Sequence, residues 1–182
     1  ATLPFLLGTL VGALNLGIAN AQVDMNGDGW GDFWQLRYNM GAGVLAPNED
    51  PDNDGLTNAE EHAAGTNPFD PASLLEVNLT MTGETDGNLQ WDGRQGKQYR
   101  IETSEELNQW TVAVESFVSD GGIETQLVSN DGPLRFWLVV VTDTDSDLDW
   151  LTDYEEILLG LEPDNPTTPS IGAGTGGDLA AA

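Results

Sequence analysis

One pattern of oxygen-bearing side chains is written three times along the chain, and it constrains the fold more than any other feature. From Asp24 the residues read DMNGDGWGDFWQ, from Asp50 DPDNDGLTNAEE, and from Asp145 DSDLDWLTDYEE. In each run, side-chain oxygens stand at positions 1, 3, 5 and 9, and a carboxylate or carboxamide stands at position 12. Gathering carboxylates in this way is self-repulsive, and the chain has little of its own to offset it. Acidic residues outnumber basic ones 31 to 5, for a formal charge of −26. A cation from solution is the natural partner.

The spacing is that of a twelve-residue calcium loop. Alternating residues in a short loop turn successive oxygens inward, position 7 adds a backbone carbonyl, and position 12 closes the shell, best with a bidentate Glu. Gly at position 6 allows the sharp turn. By these rules the second loop is the most complete: Asp50, Asp52, Asp54, the Leu56 carbonyl, Asn58 and Glu61, with Gly55 at the turn. The first offers Asp24, Asn26, Asp28, the Trp30 carbonyl and Asp32, but closes on the neutral Gln35, so weaker binding is expected. The third carries Asp145, Asp147, Asp149, the Leu151 carbonyl, Asp153 and Glu156. It has Trp150 where Gly belongs, and a bulky residue at positive φ is strained. This loop is therefore expected to be distorted, or to use a register starting at Asp143. Two to three calcium ions per chain follow.

The repeat runs past the ligands. Residues 50–71 and 145–166 align without a gap at an offset of 95, with ten identities in twenty-two. Thr57 to Glu60 and Thr152 to Glu155 each spell a capping box, the start of a helix. Gly65 and Gly160, each followed three residues later by proline (Pro68, Pro163), end those helices after about two turns. None of the three loops has an incoming helix before it, which disfavours an EF-hand sensor. The segment DPDNDGLTNAEEHAAGTNPFDPAS resembles the bacterial thrombospondin type-3-like calcium repeats. DMNGDGWGDFWQLRYN resembles the half-repeat that sits upstream of them in secreted proteins of Verrucomicrobia-type bacteria. Dockerins also carry two such loops without an incoming helix, although their recognition helix is not evident here. The resemblance implies a calcium-binding, extracellular structural or adhesion role.

Residues 72–142 change character. Apolar–polar alternation at Leu75–Met81, Leu89–Trp91, Tyr99–Thr103, Thr111–Val114, Ile123–Val128 and Phe136–Val141 is broken by TGETDGN, DGRQGK, SDGG and SNDGP. Six short strands predict a mainly β fold, a small antiparallel sandwich flanked by the calcium loops and their short helices. The continuously apolar RFWLVVV is expected to be its central strand. Trp91, Tyr99 and Trp137 are expected in the core, with Trp110 over an edge, and Trp30, Phe33 and Trp34 could pack on the sandwich. A sugar-stacking face is the alternative for these aromatics, though a small core needs most of them. The pattern NLQWDGRQGKQYRIETSEELNQW resembles the β-module that follows such repeats, and distantly a fibronectin type III domain.

The ends are of another kind. Leu3 to Ile18 is apolar and uncharged and is followed by Ala19-Asn20-Ala21, as in a signal peptide lacking its basic n-region. A membrane anchor or a buried helix is the alternative, but Asn15, Asn20 and the small residues favour cleavage before Gln22, giving a mature chain with no membrane span. Residues 22–71 are then the tandem loops, 72–142 the β-module, 143–168 the third repeat and 169–182 a flexible Gly/Ala-rich tail. One Lys and four Arg cannot neutralise a nucleic acid backbone or an anionic membrane. With no Cys and the single His62, thiol chemistry and multi-His metal centres are excluded. Twelve of the 31 acids are already assigned to calcium, and no G-x-S-x-G, phosphate loop or zinc motif is present, so no enzyme is expected. The expected protein is secreted or surface-bound, with calcium in a structural role. The alternative is a recognition module, dockerin-like or sugar-binding, for a cell-surface glycan or protein.

Overall fold

The computed structural model describes residues 32–38, 46–129 and 135–166. The proposed signal segment, the tail, and the first-loop residues Asp24, Asn26, Asp28 and Trp30 lie outside them. In chain order the elements are α1 (Asp32–Arg37), α2 (Asn58–Ala64), β1 (Asn78–Met81), β2 (Asp86–Gly93), β3 (Lys97–Ser104), β4 (Thr111–Val118), β5 (Gly122–Ser129), β6 (Phe136–Asp143) and α3 (Asp153–Leu159). The fold is mainly β, and each of the six alternating segments overlaps one strand. They form two three-stranded antiparallel sheets, ordered β1-β2-β5 and β4-β3-β6.

Period-two alternation explains the sandwich. In β2, Leu89 and Trp91 point inward while Asn88, Gln90 and Asp92 do not. In β3, Tyr99 and Ile101 are buried between the half-buried Gln98, Arg100 and Glu102. The inward sets meet Val128, Trp137, Val139 and Val141, with Val114 and Phe117 packed against them. Trp91, Tyr99 and Phe117 form an aromatic triangle with ring centroids 5.5 to 6.4 Å apart. The Tyr99 hydroxyl accepts from the Arg94 N–H at 2.9 Å, which satisfies the one polar atom this ring carries into the core. Burial pushes that phenol up to about 12.

The apolar run of β6 does not make it the central strand. Phe136 to Val141 are all buried, yet among the described residues β6 pairs only with β3, which holds the centre of its sheet. A run buried on both faces reports cover, not hydrogen-bonding neighbours, and α2 lies against β6. Trp34 also departs from expectation. It packs edge-on against Tyr38 and His62, at centroid distances of 5.4 and 5.2 Å, and beside Ala59. It therefore joins α1 to α2 in a small second core. Ala64, at the end of α2, and Leu75 and Val77, ahead of β1, belong to the sandwich core, so the second repeat is built into the β-module.

Candidate metal centres

The second loop is shaped by its own carboxylates. Asp50 accepts from the N–H groups of Asn53 (2.7 Å) and Gly55 (3.1 Å), which folds the chain around it. Asp52 and Asp54 each accept one N–H from two residues on, Asp54 and Leu56 respectively. One oxygen of each is thereby committed to the loop. The other, Oδ2, is buried and has no hydrogen-bond partner in either residue. Carboxylate oxygens of Asp50, Asp52 and Asp54 lie within 4.8 Å of one another. At an effective dielectric of about 20, each like-charged pair at such range repels by roughly 3–4 kcal/mol.

Helix α2 follows the loop directly and brings Glu61 within electrostatic reach of this cluster. Thr57 caps the helix: its hydroxyl accepts from the Glu60 N–H, and the Glu60 carboxylate accepts from the Thr57 N–H at 2.8 Å. The box fixes the first turn, which carries Asn58 and Glu61. Asn58 donates through Nδ2 to the Ala46 carbonyl at 2.9 Å and keeps a buried Oδ1 with no partner. Glu61 has no exposed surface. Its Oε1 accepts from the Thr66 hydroxyl at 3.3 Å, and its Oε2 has no partner. Burial, and then the charges of Asp52 and Asp54, push this carboxyl up to about 8, while Asp52 is raised chiefly by burial. Buried oxygens that repel one another and lack donors are what a hard divalent cation, which takes six to eight oxygen ligands, satisfies.

The third loop keeps the same geometry despite Trp150. Asp145 accepts from the N–H groups of Leu148 (2.6 Å), Asp149 (3.3 Å) and Trp150 (3.2 Å). The turn is thus organised on Asp145, and Asp143 is engaged elsewhere, with Lys97. Positive φ recurs at the matching places: Asn53 (62°) and Gly55 (99°) in one loop, Leu148 (65°) and Trp150 (90°) in the other. Trp150 accepts the strain that glycine avoids, with its indole 52% exposed. Oxygens of Asp145, Asp147 and Asp149 again fall within 4.8 Å, and neither oxygen of the Asp147 carboxylate has a hydrogen-bond partner. Burial, then Asp149 and Asp145, push Asp147 up to about 6.

Closure of this loop differs. Asp153 at position 9 holds Ser146, accepting from its N–H at 2.8 Å and its hydroxyl at 2.7 Å. In the second loop Pro51 stands at the position of Ser146 and has no N–H to give, so Asn58 reaches back to Ala46 instead. Thr152 and Glu155 form the second capping box, and Glu156 is fully buried on α3. The side chain of Leu151 is buried and that of Leu56 half-buried. Of the first loop, Asp32 and Gln35 lie buried on α1.

Two contacts near the loops have no motif to announce them. Thr66 lies beyond the twelve-residue pattern yet reaches Glu61. Lys97 and Asp143 meet at 2.6 Å between α2 and α3. A lone lysine in so acidic a chain was the one available signal for the second.

Against known proteins, residues 50–71 match the family model of the bacterial TSP3 repeat. No curated protein and no solved structure matches the chain. The matched span is the second loop, its capped helix and the proline-punctuated exit.

Proposed function

We infer that this chain is a calcium-binding structural module of the cell exterior, in which the ions neutralise acidic loops and thereby fix short helices onto a β-sandwich. The observation that carries the reading is the second loop, where Asp50, Asp52 and Asp54 gather their carboxylates, Asp52 and Asp54 each keep a buried oxygen without a donor, and α2 supplies two more such oxygens in Asn58 and Glu61, the latter within electrostatic reach of the cluster. The third loop repeats the carboxylate triad, and the match to a bacterial TSP3 repeat supports the same ion. Asp50, Asp52, Asp54, Asn58 and Glu61 would hold one calcium. Asp145, Asp147 and Asp149 would hold a second, with Glu156 closing from α3.

Because such a loop is repulsive when empty, binding free energy becomes folding free energy. Dissociation constants of about 10⁻⁴–10⁻³ M suffice for an extracellular module. A catalytic role is not proposed, since a carboxylate clamped on calcium is no proton shuttle. Trp34, Trp91 and Trp137 are buried and offer no face for sugar stacking. Among the described residues no helix is long and apolar enough to cross a membrane.

Calcium titrated calorimetrically into chelator-stripped protein is expected to bind at two to three sites per chain and to raise the melting temperature. A flat titration with an unchanged melting curve refutes the reading.

A further inference from the structure

The chain's only lysine is buried where both calcium repeats meet the sandwich. Lys97 begins β3 and is 1% exposed. Its ammonium donates to the His62 carbonyl of α2 at 3.2 Å and to Asp143 Oδ1 at the end of β6 at 2.6 Å. It also lies 4.6 Å from the ring centroid of Tyr154 on α3. The Tyr154 hydroxyl closes the circuit by donating to the Gly65 carbonyl at the end of α2, at 3.0 Å.

The fit leaves no slack. A Cβ on Gly65 would stand 3.0 Å from the Tyr154 ring and 3.2 Å from Lys97 Cε. One on Gly96 would stand 2.7 Å from the Tyr154 nitrogen.

Three partners in this clasp, His62, Asp143 and Tyr154, lie within two residues of a metal-loop residue. His62 follows Glu61, which closes the second loop. Asp143 lies two residues before Asp145, which opens the third, and Tyr154 sits between Asp153 and Glu156. The two capped helices are therefore tied to each other across 89 residues of sequence by one hydrogen bond and one shared cation.

We propose that this clasp couples the two loops energetically, so that calcium in one raises the affinity of the other, with Lys97 and Tyr154 as the positioning residues. An ion in the second loop fixes α2 through Glu61. The ordered α2 then presents the His62 and Gly65 carbonyls to Lys97 and Tyr154, which holds α3 where the third loop needs Glu156. The third loop's ion acts along the same path in reverse. Linkage requires the factor to be equal in both directions.

The inference rests on the calcium reading, and calorimetric titration of the full chain separates the two. The second loop is disabled by D54N with E61Q, the third by D147N with D149N, and each remaining affinity is compared with that of the intact chain. Coupling of about 5- to 20-fold is expected, the same from either side. Y154F removes only the hydroxyl, leaving the ring over Lys97, and should cut the factor by about half or more while each single-loop affinity stays within about twofold. K97M should do the same if it folds, and Y154F keeps the test decisive if it does not. Loops that bind calcium independently, or coupling that is undiminished in both Y154F and K97M (in Y154F alone if K97M does not fold), overturn the proposal alone. A chain that takes up no calcium overturns it together with the reading beneath it.

Discussion

Glu61 has no exposed surface and faces Asp52 and Asp54, so its carboxyl stands at about 8 in the metal-free protein, against an ordinary 4.5. An acid whose pKa rises on folding takes up a proton as the chain folds. Its contribution to stability is therefore intact below the unfolded value and declines as pH climbs toward 8. Each pH unit crossed in that window removes at most about 1.4 kcal/mol, for a ceiling of roughly 5 kcal/mol, about 4 of it lost by pH 8. Glu61→Gln removes the titration but leaves a buried amide with imperfect partners, at about 1–3 kcal/mol. Without metal at pH 8 the variant should therefore be more stable than the parent by about 1–3 kcal/mol, and near pH 5.5 it should be level or slightly worse.

Calcium shifts the balance back toward the parent. Free calcium at 100 times the dissociation constant stabilises the parent by about 2.7 kcal/mol, and loss of the closing carboxylate forfeits most of it. Urea unfolding followed by tryptophan fluorescence, in chelator and in calcium, between pH 5.5 and 8, measures all four corners. The reasoning fails if Glu61→Gln destabilises the metal-free and calcium-loaded protein equally, or if the parent and variant run parallel across that pH range.

Trp150→Gly should relieve a positive φ of 90° at an exposed site, raise stability by about 1 kcal/mol, and tighten the third loop for calcium, as read by melting temperature and calorimetry. Thr152→Ala removes the cap of α3 and should lower stability by about 1 kcal/mol, and Thr57→Ala should do the same for α2 with a matching loss of affinity in the second loop. Gly96→Ala combines a positive φ of 82° with a Cβ 2.7 Å from the Tyr154 backbone, so chemical denaturation should show a loss of about 2–4 kcal/mol.

What the sequence discloses here is local chemistry. The capping boxes at Thr57 and Thr152 and the αL stops at Gly65 and Gly160 stand where their residues foretell, because a cap needs only neighbours within four positions. Strands were legible from alternation for the same reason: Leu89 and Trp91 must share a face whatever packs on it. Strand neighbours were not legible. The unbroken run of β6 reads as a central strand, yet β3, with polar Gln98, Arg100 and Glu102 between its buried residues, holds the centre. Hydrophobicity records burial, and a covering helix buries an edge strand as well as a second sheet does.

The third loop shows the limit of reading sites by rule. A missing glycine predicts distortion or a shift of register, but the penalty for a bulky residue at positive φ is of order 1–3 kcal/mol. Asp145 offsets it by accepting three N–H bonds, each worth about 1 kcal/mol or more to a charged acceptor. The alternative start was also closed off by a contact no spacing rule contains, since Asp143 is held by Lys97 on β3. That ion pair exists only once β3 and β6 lie side by side in the register that sets Lys97 opposite Asp143. The β-module thus selects which aspartate opens the loop, and the loop's helix in turn covers the module's only lysine. Neither part is a free-standing bead, which is why cutting the chain at residue 142 would remove Tyr154 from the Gly65 carbonyl and expose the Lys97 ammonium it covers.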